Sequence, residues 1–196
     1  LWYMDEKDAN KNPTGRRVTT NDYSSADYYY VNKSSLPKVY GGFNTSLSWK
    51  GFDLSAIFAY SIGGYIYNRD ITMILHNGSL EGRDWSTEIL KRWTPDNRYT
   101  DVPALSTTSN NWNSASTRFL QNNSYMRLKN LTLSYNLPKQ WISKLSLSSV
   151  QVYVQGDNLF TIHRNQGLDP EQGITGITYY RYPAMRTISG GINVSF

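Results

Sequence analysis

The sequence predicts an all-β chain: an antiparallel wall segment of about five strands from a larger transmembrane β-barrel, with long loops and one short loop helix. Three observations carry this. Residues 184–196, AMRTISGGINVSF, alternate strictly, with Ile188, Gly190, Ile192, Val194 and Phe196 on one parity and Thr187, Ser189, Gly191, Asn193 and Ser195 on the other. Such a strand has one apolar and one wet face. Aromatics are 14% of the chain against 39% for all hydrophobics, and 16 of them are Tyr, whose apolar ring and polar tip suit a membrane interface. No stretch approaches the ~20 apolar residues of a membrane helix, so any spanning structure has to be β.

Taken in order, residues 1–36 read as an irregular polar loop or the tail of a preceding strand. Asp8, Asn10 and Asn12 sit at alternate positions, as at the start of a calcium loop. Pro13 then stands where that loop needs Gly, and no bidentate Glu follows, so a solvated Asx-turn is the simpler reading. From Lys38 to Lys50, Val39, Phe43, Leu47 and Trp49 oppose Tyr40, Asn44, Ser46, Ser48 and Lys50. Lys50-Gly51 suits a tight hairpin, and Phe52, Leu54, Ala56, Phe58 and Tyr60 continue as the apolar face of the return strand, opposite Asp53, Ser55, Ala59 and Ser61.

Residues 67–116 form a connection far longer than compact domains tolerate, which predicts an extracellular loop with structure of its own. Within it, residues 86–93 suit a short helix: Ser86 caps, Glu88 faces the positive end, Lys91 and Arg92 the negative end, and Thr94-Pro95 stops it. Trp85, Trp93 and Trp112 could stack on sugars or peptide side chains, though packing of the loop on itself explains them more simply. A third strand is expected over 119–136, with Leu131, Leu133 and Tyr135 opposite Asn130, Thr132, Ser134 and Asn136. Arg127 and Lys129 share the apolar parity, so they lie above the hydrocarbon band or follow a bulge. The fourth strand, 151–160, sets Val152 and Val154 against Gln151, Tyr153 and Gln155, and Gly156-Asp157-Asn158 is expected to interrupt it. A second long loop, 161–183, leads into the terminal strand.

Other chemistries fail on composition. Without Cys there is no disulfide, thiolate site or cysteine nucleophile. The net charge of +5 comes from scattered Lys and Arg rather than a basic stripe, which argues against nucleic acid. His76 and His163 are far apart and outside any HExxH arrangement, no GxSxG elbow or phosphate-binding loop exists, and no spacing pairs two of Asp53, Asp101, Asp157 and Asp169. The expectation is a protein that is not an enzyme and carries no cofactor.

The runs PKVYGGFNTSLSWKGFDLSAIFAYSIGGYIYN, RWTPDNRYTDVPAL, SYMRLKNLTLSYNLP, VQVYVQGDNLFT and YPAMRTISGGINVSF, in that order, resemble the carboxyl-terminal end of the SusC/RagA-type TonB-dependent outer-membrane transporters. The resemblance covers 37–196 and is looser before it, where Lys11, Pro13 and Arg16 alter an acidic turn. It implies a plugged barrel of about twenty-two strands in the cell outer membrane, a SusD-type surface lipoprotein as lid, energy drawn through TonB, and a glycan or peptide cargo. Neither plug nor TonB box lies in this sequence. Because about five strands cannot close a barrel and the chain opens on Leu1, it is expected to be a fragment that needs the remainder of its barrel.

Roles then follow by face. Asn44, Ser46, Ser48, Asp53, Thr132, Ser134, Gln151, Tyr153, Gln155 and Asn193 are expected to line the lumen, while the opposite parity meets lipid. Trp85, Trp112, Tyr179 and Tyr180 are the loop residues expected to meet lid or substrate. By resemblance, Ile192, Val194 and Phe196 look like the terminal signal read by barrel-assembly machinery. The alternative is a secreted soluble β-sandwich that binds glycans, in which the same alternating side chains would be buried against a second sheet.

Overall fold

The computed structural model describes residues 2–196 except 77, 79–81, 107–112, 166, 168 and 172. The described residues group into two compact units, one of residues 1–33 with 67–120 and one of 34–66 with 121–196.

The first unit opens with an antiparallel hairpin, β1 (Trp2–Lys7) and β2 (Pro13–Thr20), where sequence reasoning expected irregular chain. The hairpin is held by contacts that no local pattern announces. The Trp2 ring packs edge-on against Tyr23 at 4.8 Å, Tyr29 Oη donates to Asp5 at 2.8 Å, and the Arg17 guanidinium lies 4.1 Å above the Tyr29 ring. In its turn Asp8 Oδ1 accepts from the backbone N–H groups of Asn10 and Asn12 at 2.8 and 2.9 Å, an Asx-turn. Among the described residues no group of three or more His, Cys, Asp or Glu could hold a metal ion.

The long connection has its own core of Leu75, Ile89 and Val102, with Ile71 against it. Helix α1 (Arg69–Ile74) is capped by Asn68, whose side chain accepts from Ile71 N–H at 3.1 Å. The helix expected over 86–93 is a 3-10 helix of Thr87–Lys91, capped as anticipated by Ser86. It ends early because Trp93 N–H is drawn to the Val102 carbonyl at 2.8 Å, which straightens the chain at Arg92.

The second unit is built on a five-stranded antiparallel sheet of order β10-β8-β7-β4-β3. Its strands are β3 (Val39–Trp49), β4 (Phe52–Ile62), β7 (Tyr125–Asn136), β8 (Ser149–His163) and β10 (Thr187–Ser195). Three short strands, β5 (Tyr65–Asn68), β6 (Leu120–Asn122) and β9 (Ile177–Thr178), make a further sheet of order β6-β5-β9. Between β7 and β8 runs the short helix α2 (Lys139–Ile142), which buries Ile142. The β3–β4 hairpin turns at Lys50 and Gly51 with φ of 48° and 89°, the doubly left-handed conformation that matches strand twist.

Two strand boundaries differ from expectation. The strand anticipated over 119–136 divides, because Asn122 Oδ1 accepts from Ser124 N–H at 2.9 Å and folds the chain between β6 and β7. The strand anticipated over 151–160 with an interruption at Gly156-Asp157-Asn158 runs unbroken from Ser149 to His163, absorbing Asn158 in a left-handed conformation, φ 53°, within a bulge.

Candidate functional site

Register divides the large sheet into two chemically opposite faces, because directly paired residues on neighbouring strands project to the same side. One set of rows runs Trp49–Phe52–Tyr135–Val152–Ile192, Leu47–Leu54–Leu133–Val154–Gly190 and Phe43–Phe58–Leu128–Phe160. This face is apolar yet open: Leu54 is 40% exposed, Leu133 44%, Leu47 66% and Ile188 76%. Among the described residues of this unit no second sheet covers it, whereas a soluble sandwich would bury these side chains. An apolar patch of this extent marks a membrane or partner surface. Aromatic pairs brace it, Phe43 stacked on Phe58 at 4.7 Å and Phe52 tilted on Tyr135 at 4.5 Å. Ile192, Val194 and Phe196 all lie exposed at this terminal edge.

The opposite rows read Ser48–Asp53–Ser134–Tyr153–Gly191, Ser46–Ser55–Thr132–Gln155–Ser189 and Asn44–Ile57–Asn130–Asp157–Thr187, with Asn136, Gln151 and Asn193 in a further row. Side chains join across the strands. Asp53 accepts from Ser48 Oγ and, at 2.6 Å, from Asn136 Nδ2; Ser134 Oγ accepts from Gln151 Nε2 at 3.3 Å, and Gln151 Oε1 accepts from Asn193 Nδ2 at 3.2 Å. Higher up, Thr132 Oγ1 donates to Asn130, whose amide donates to Asp157 at 2.8 Å, and Gln155 Nε2 reaches the same carboxylate at 3.2 Å. The Tyr153 ring fills the space a side chain at 191 would occupy, its Oη 2.7 Å from where a Cβ would stand. All ten residues expected on the wet face therefore share one face; Ser48, Asp53, Ser134, Gln151 and Asn193 hydrogen-bond among themselves, and Thr132 and Gln155 bond to Asn130 and Asp157 beside them.

Arg127 explains how the parity conflict in β7 is solved. Ile57 pairs with Asn130 while Phe58 pairs with Leu128, so Lys129 is the extra residue of a β-bulge. The bulge reverses parity below residue 129: Leu128 and Met126 take the apolar rows beside Phe58 and Tyr60, and Arg127 joins Ala59 and Thr161 on the polar face. There its guanidinium is 3% exposed and fully engaged. Nε donates to Thr161 Oγ1 and Nη1 to Glu171, each at 2.9 Å, and Nη2 to Asp169. Lys129 pairs with the same Glu171. Burial alone pushes the Asp169 carboxyl up, but the Ala184 N–H, the Arg127 guanidinium and the Glu171 N–H outweigh it and hold the group below the ordinary carboxylate range. The cluster ties the loop between β8 and β10 to the sheet. Its one sequence signal is the two cations at positions of apolar parity; nothing local named Asp169 and Glu171 as partners.

The loop residues are less united. Trp85 donates from Nε1 to Nδ1 of the buried His76 at 3.1 Å, with its ring tilted on the imidazole, which leaves it 46% exposed. Tyr179 and Tyr180 form their own exposed pair, centroids 4.2 Å apart, with Tyr180 at φ 49°. Trp112 lies outside the described residues.

An antiparallel sheet with an open apolar face and a hydrogen-bonded polar face is the wall of a transmembrane β-barrel. No family model matches the chain. Similarity to known proteins nevertheless agrees on one class. The chain is 34% identical over 79% of its length to TonB-dependent receptor P3 of Formosa agariphila, and 27% identical over 85% to TonB-dependent receptor SusC of Bacteroides thetaiotaomicron. It superimposes on the RagAB peptide importer in the closed-closed and open-open states with TM-scores of 0.79, at 35% and 34% identity over 97% and 98% of the chain. The chain belongs to the SusC/RagA-type TonB-dependent receptors, a family of outer-membrane transporters and not of enzymes. It spans 16% of the length of those two receptors and 20% of the solved chains.

Proposed function

We propose that this chain forms part of the wall of an importer that carries oligopeptides across the outer membrane beneath a SusD-type lipoprotein lid. The remainder of the barrel and its plug complete the channel, and TonB supplies the energy to move the plug. The two-faced register carries this reading: residues from Ser48 to Asn193 hydrogen-bond along one face while lipid-compatible side chains cover the other. Such a face suits a wetted lumen, in which polar side chains satisfy one another and leave a hydrated path. The open polar face, and beside β8 a cavity whose lining includes Arg181 and Arg186, suit a peptide's carbonyls and carboxylates. Oligosaccharide is the second reading, favoured by the exposed Tyr179–Tyr180 pair, which offers a stacking platform. Trp85, Trp112 and this pair act at the lid or cargo surface, and Ile192, Val194 and Phe196 guide assembly. Uptake of labelled oligopeptides and oligosaccharides by cells carrying the full-length parent, with and without TonB, tests it. TonB-dependent peptide uptake and co-purification of a surface lipoprotein are expected; uptake indifferent to loss of the parent protein overturns the reading.

A further inference from the structure

On the polar side of the sheet, the loop between β8 and β10 borders an open cavity of about 450 Å³ whose lining includes Arg127, Thr161, His163, Asp169, Arg181 and Arg186. Its charges do not cancel. Arg127 and Lys129 meet Asp169 and Glu171, two cations against two anions, joined by ion pairs and braced by the Thr161 hydroxyl and the Ala184 N–H. Asp157, the next acid along β8, accepts from Asn130 and Gln155. Arg181 and Arg186 remain, both exposed, and among the described residues neither has a carboxylate within ion-pairing distance. Two unneutralised guanidinium groups at one cavity make a positive site whose planar forks match a carboxylate. Arg127 cannot serve, because its nitrogens are already taken; it forms the fixed floor on which the loop is held.

We propose that this cavity is a cargo subsite in which Arg181 and Arg186 receive the chain-terminal carboxylate of an oligopeptide, an inference that rests on the importer reading above. The neutralised floor prevents Asp169 from repelling the ligand, and the surplus cations supply the attraction. Because the loop is latched to the sheet through Asp169, the two arginines are presented from an ordered support, which lowers the ordering cost of binding.

The test uses the full-length parent barrel in detergent and two probes, an oligopeptide of uncharged side chains with a free carboxyl terminus and its carboxyl-amidated twin. Isothermal titration gives the affinity of each for the wild type, R181Q/R186Q and R181K/R186K. The free acid is expected to bind the wild type about tenfold more tightly than the amide, the scale of one charge-assisted contact. That preference is expected to fall to near unity in R181Q/R186Q and to persist in part in R181K/R186K. Both variants change exposed side chains, and heat-shifted gel migration verifies that their barrels are assembled. Equal binding of acid and amide by the wild type, or an undiminished preference in R181Q/R186Q, overturns the subsite while leaving a peptide importer intact. Failure of the wild type to bind either peptide overturns both readings.

Discussion

Replacing Arg127 with Met should release the loop between β8 and β10 without dissolving the sheet. Met keeps much of the apolar volume, so the loss is chiefly one of charge. What remains is Asp169, 7% exposed and deprived of its guanidinium though still held by the Ala184 and Glu171 N–H groups, and breaking a buried pair in this way costs roughly 3 to 5 kcal/mol. The contact to Glu171 adds little, since that carboxylate is 37% exposed and retains Lys129, and screened pairs are worth at most about 1 kcal/mol. The Asp169 pair therefore sets the scale. At about 1.4 kcal/mol per factor of ten, local opening of the loop rises by roughly a hundredfold to a few thousandfold. Limited trypsin digestion of the full-length parent in detergent reads this directly, because Arg164 and Arg181 lie in the loop. Faster cleavage there, with unchanged urea resistance of the barrel, is expected, and R127M/D169N should recover much of the protection by removing the stranded charge. An R127M barrel cleaved at the wild-type rate would refute the latch.

The same latch has a pH signature. Asp169 has a lower pKa folded than unfolded, so its contribution is complete above the ordinary value of 3.8 and disappears as pH falls through the lower folded one. Protection of the loop from an acid-tolerant protease should hold from neutral pH to about pH 4 and drop below it, and D169N should abolish that dependence. On the apolar face, Leu133→Arg should cost about 2 to 4 kcal/mol in urea unfolding from liposomes, whereas Thr132→Arg on the polar face should cost far less. Gly51→Val should cost more than about 1 kcal/mol and slow assembly, since Gly51 holds φ 89° and a Cβ there would stand 3.1 Å from the Asn136 carbonyl. Pulse-chase assembly in cells measures the latter.

How much was legible depended on the range of the forces involved. Period-two alternation at 188–196 and 39–60 placed the strands, because each side chain on a strand needs only its own parity to choose lipid or water. Lys50-Gly51 announced its hairpin through backbone geometry alone, and Ser86 announced its cap. Local pattern failed where distant partners intervened. The β1–β2 hairpin depends on Trp2 meeting Tyr23 and Tyr29 meeting Asp5, and the 86–93 helix is cut short by a carbonyl at Val102.

Arg127 marks the division most clearly. The sequence by itself determined that a cation stood at an apolar position and that either depth or a bulge had to resolve it. Only the tertiary structure decided for the bulge at Lys129, and only it brought Asp169 and Glu171 from more than forty residues away. The reason is physical: alternation is a property of one strand against its solvent, while the burial of a charge is settled by whichever carboxylates the closed chain delivers to it.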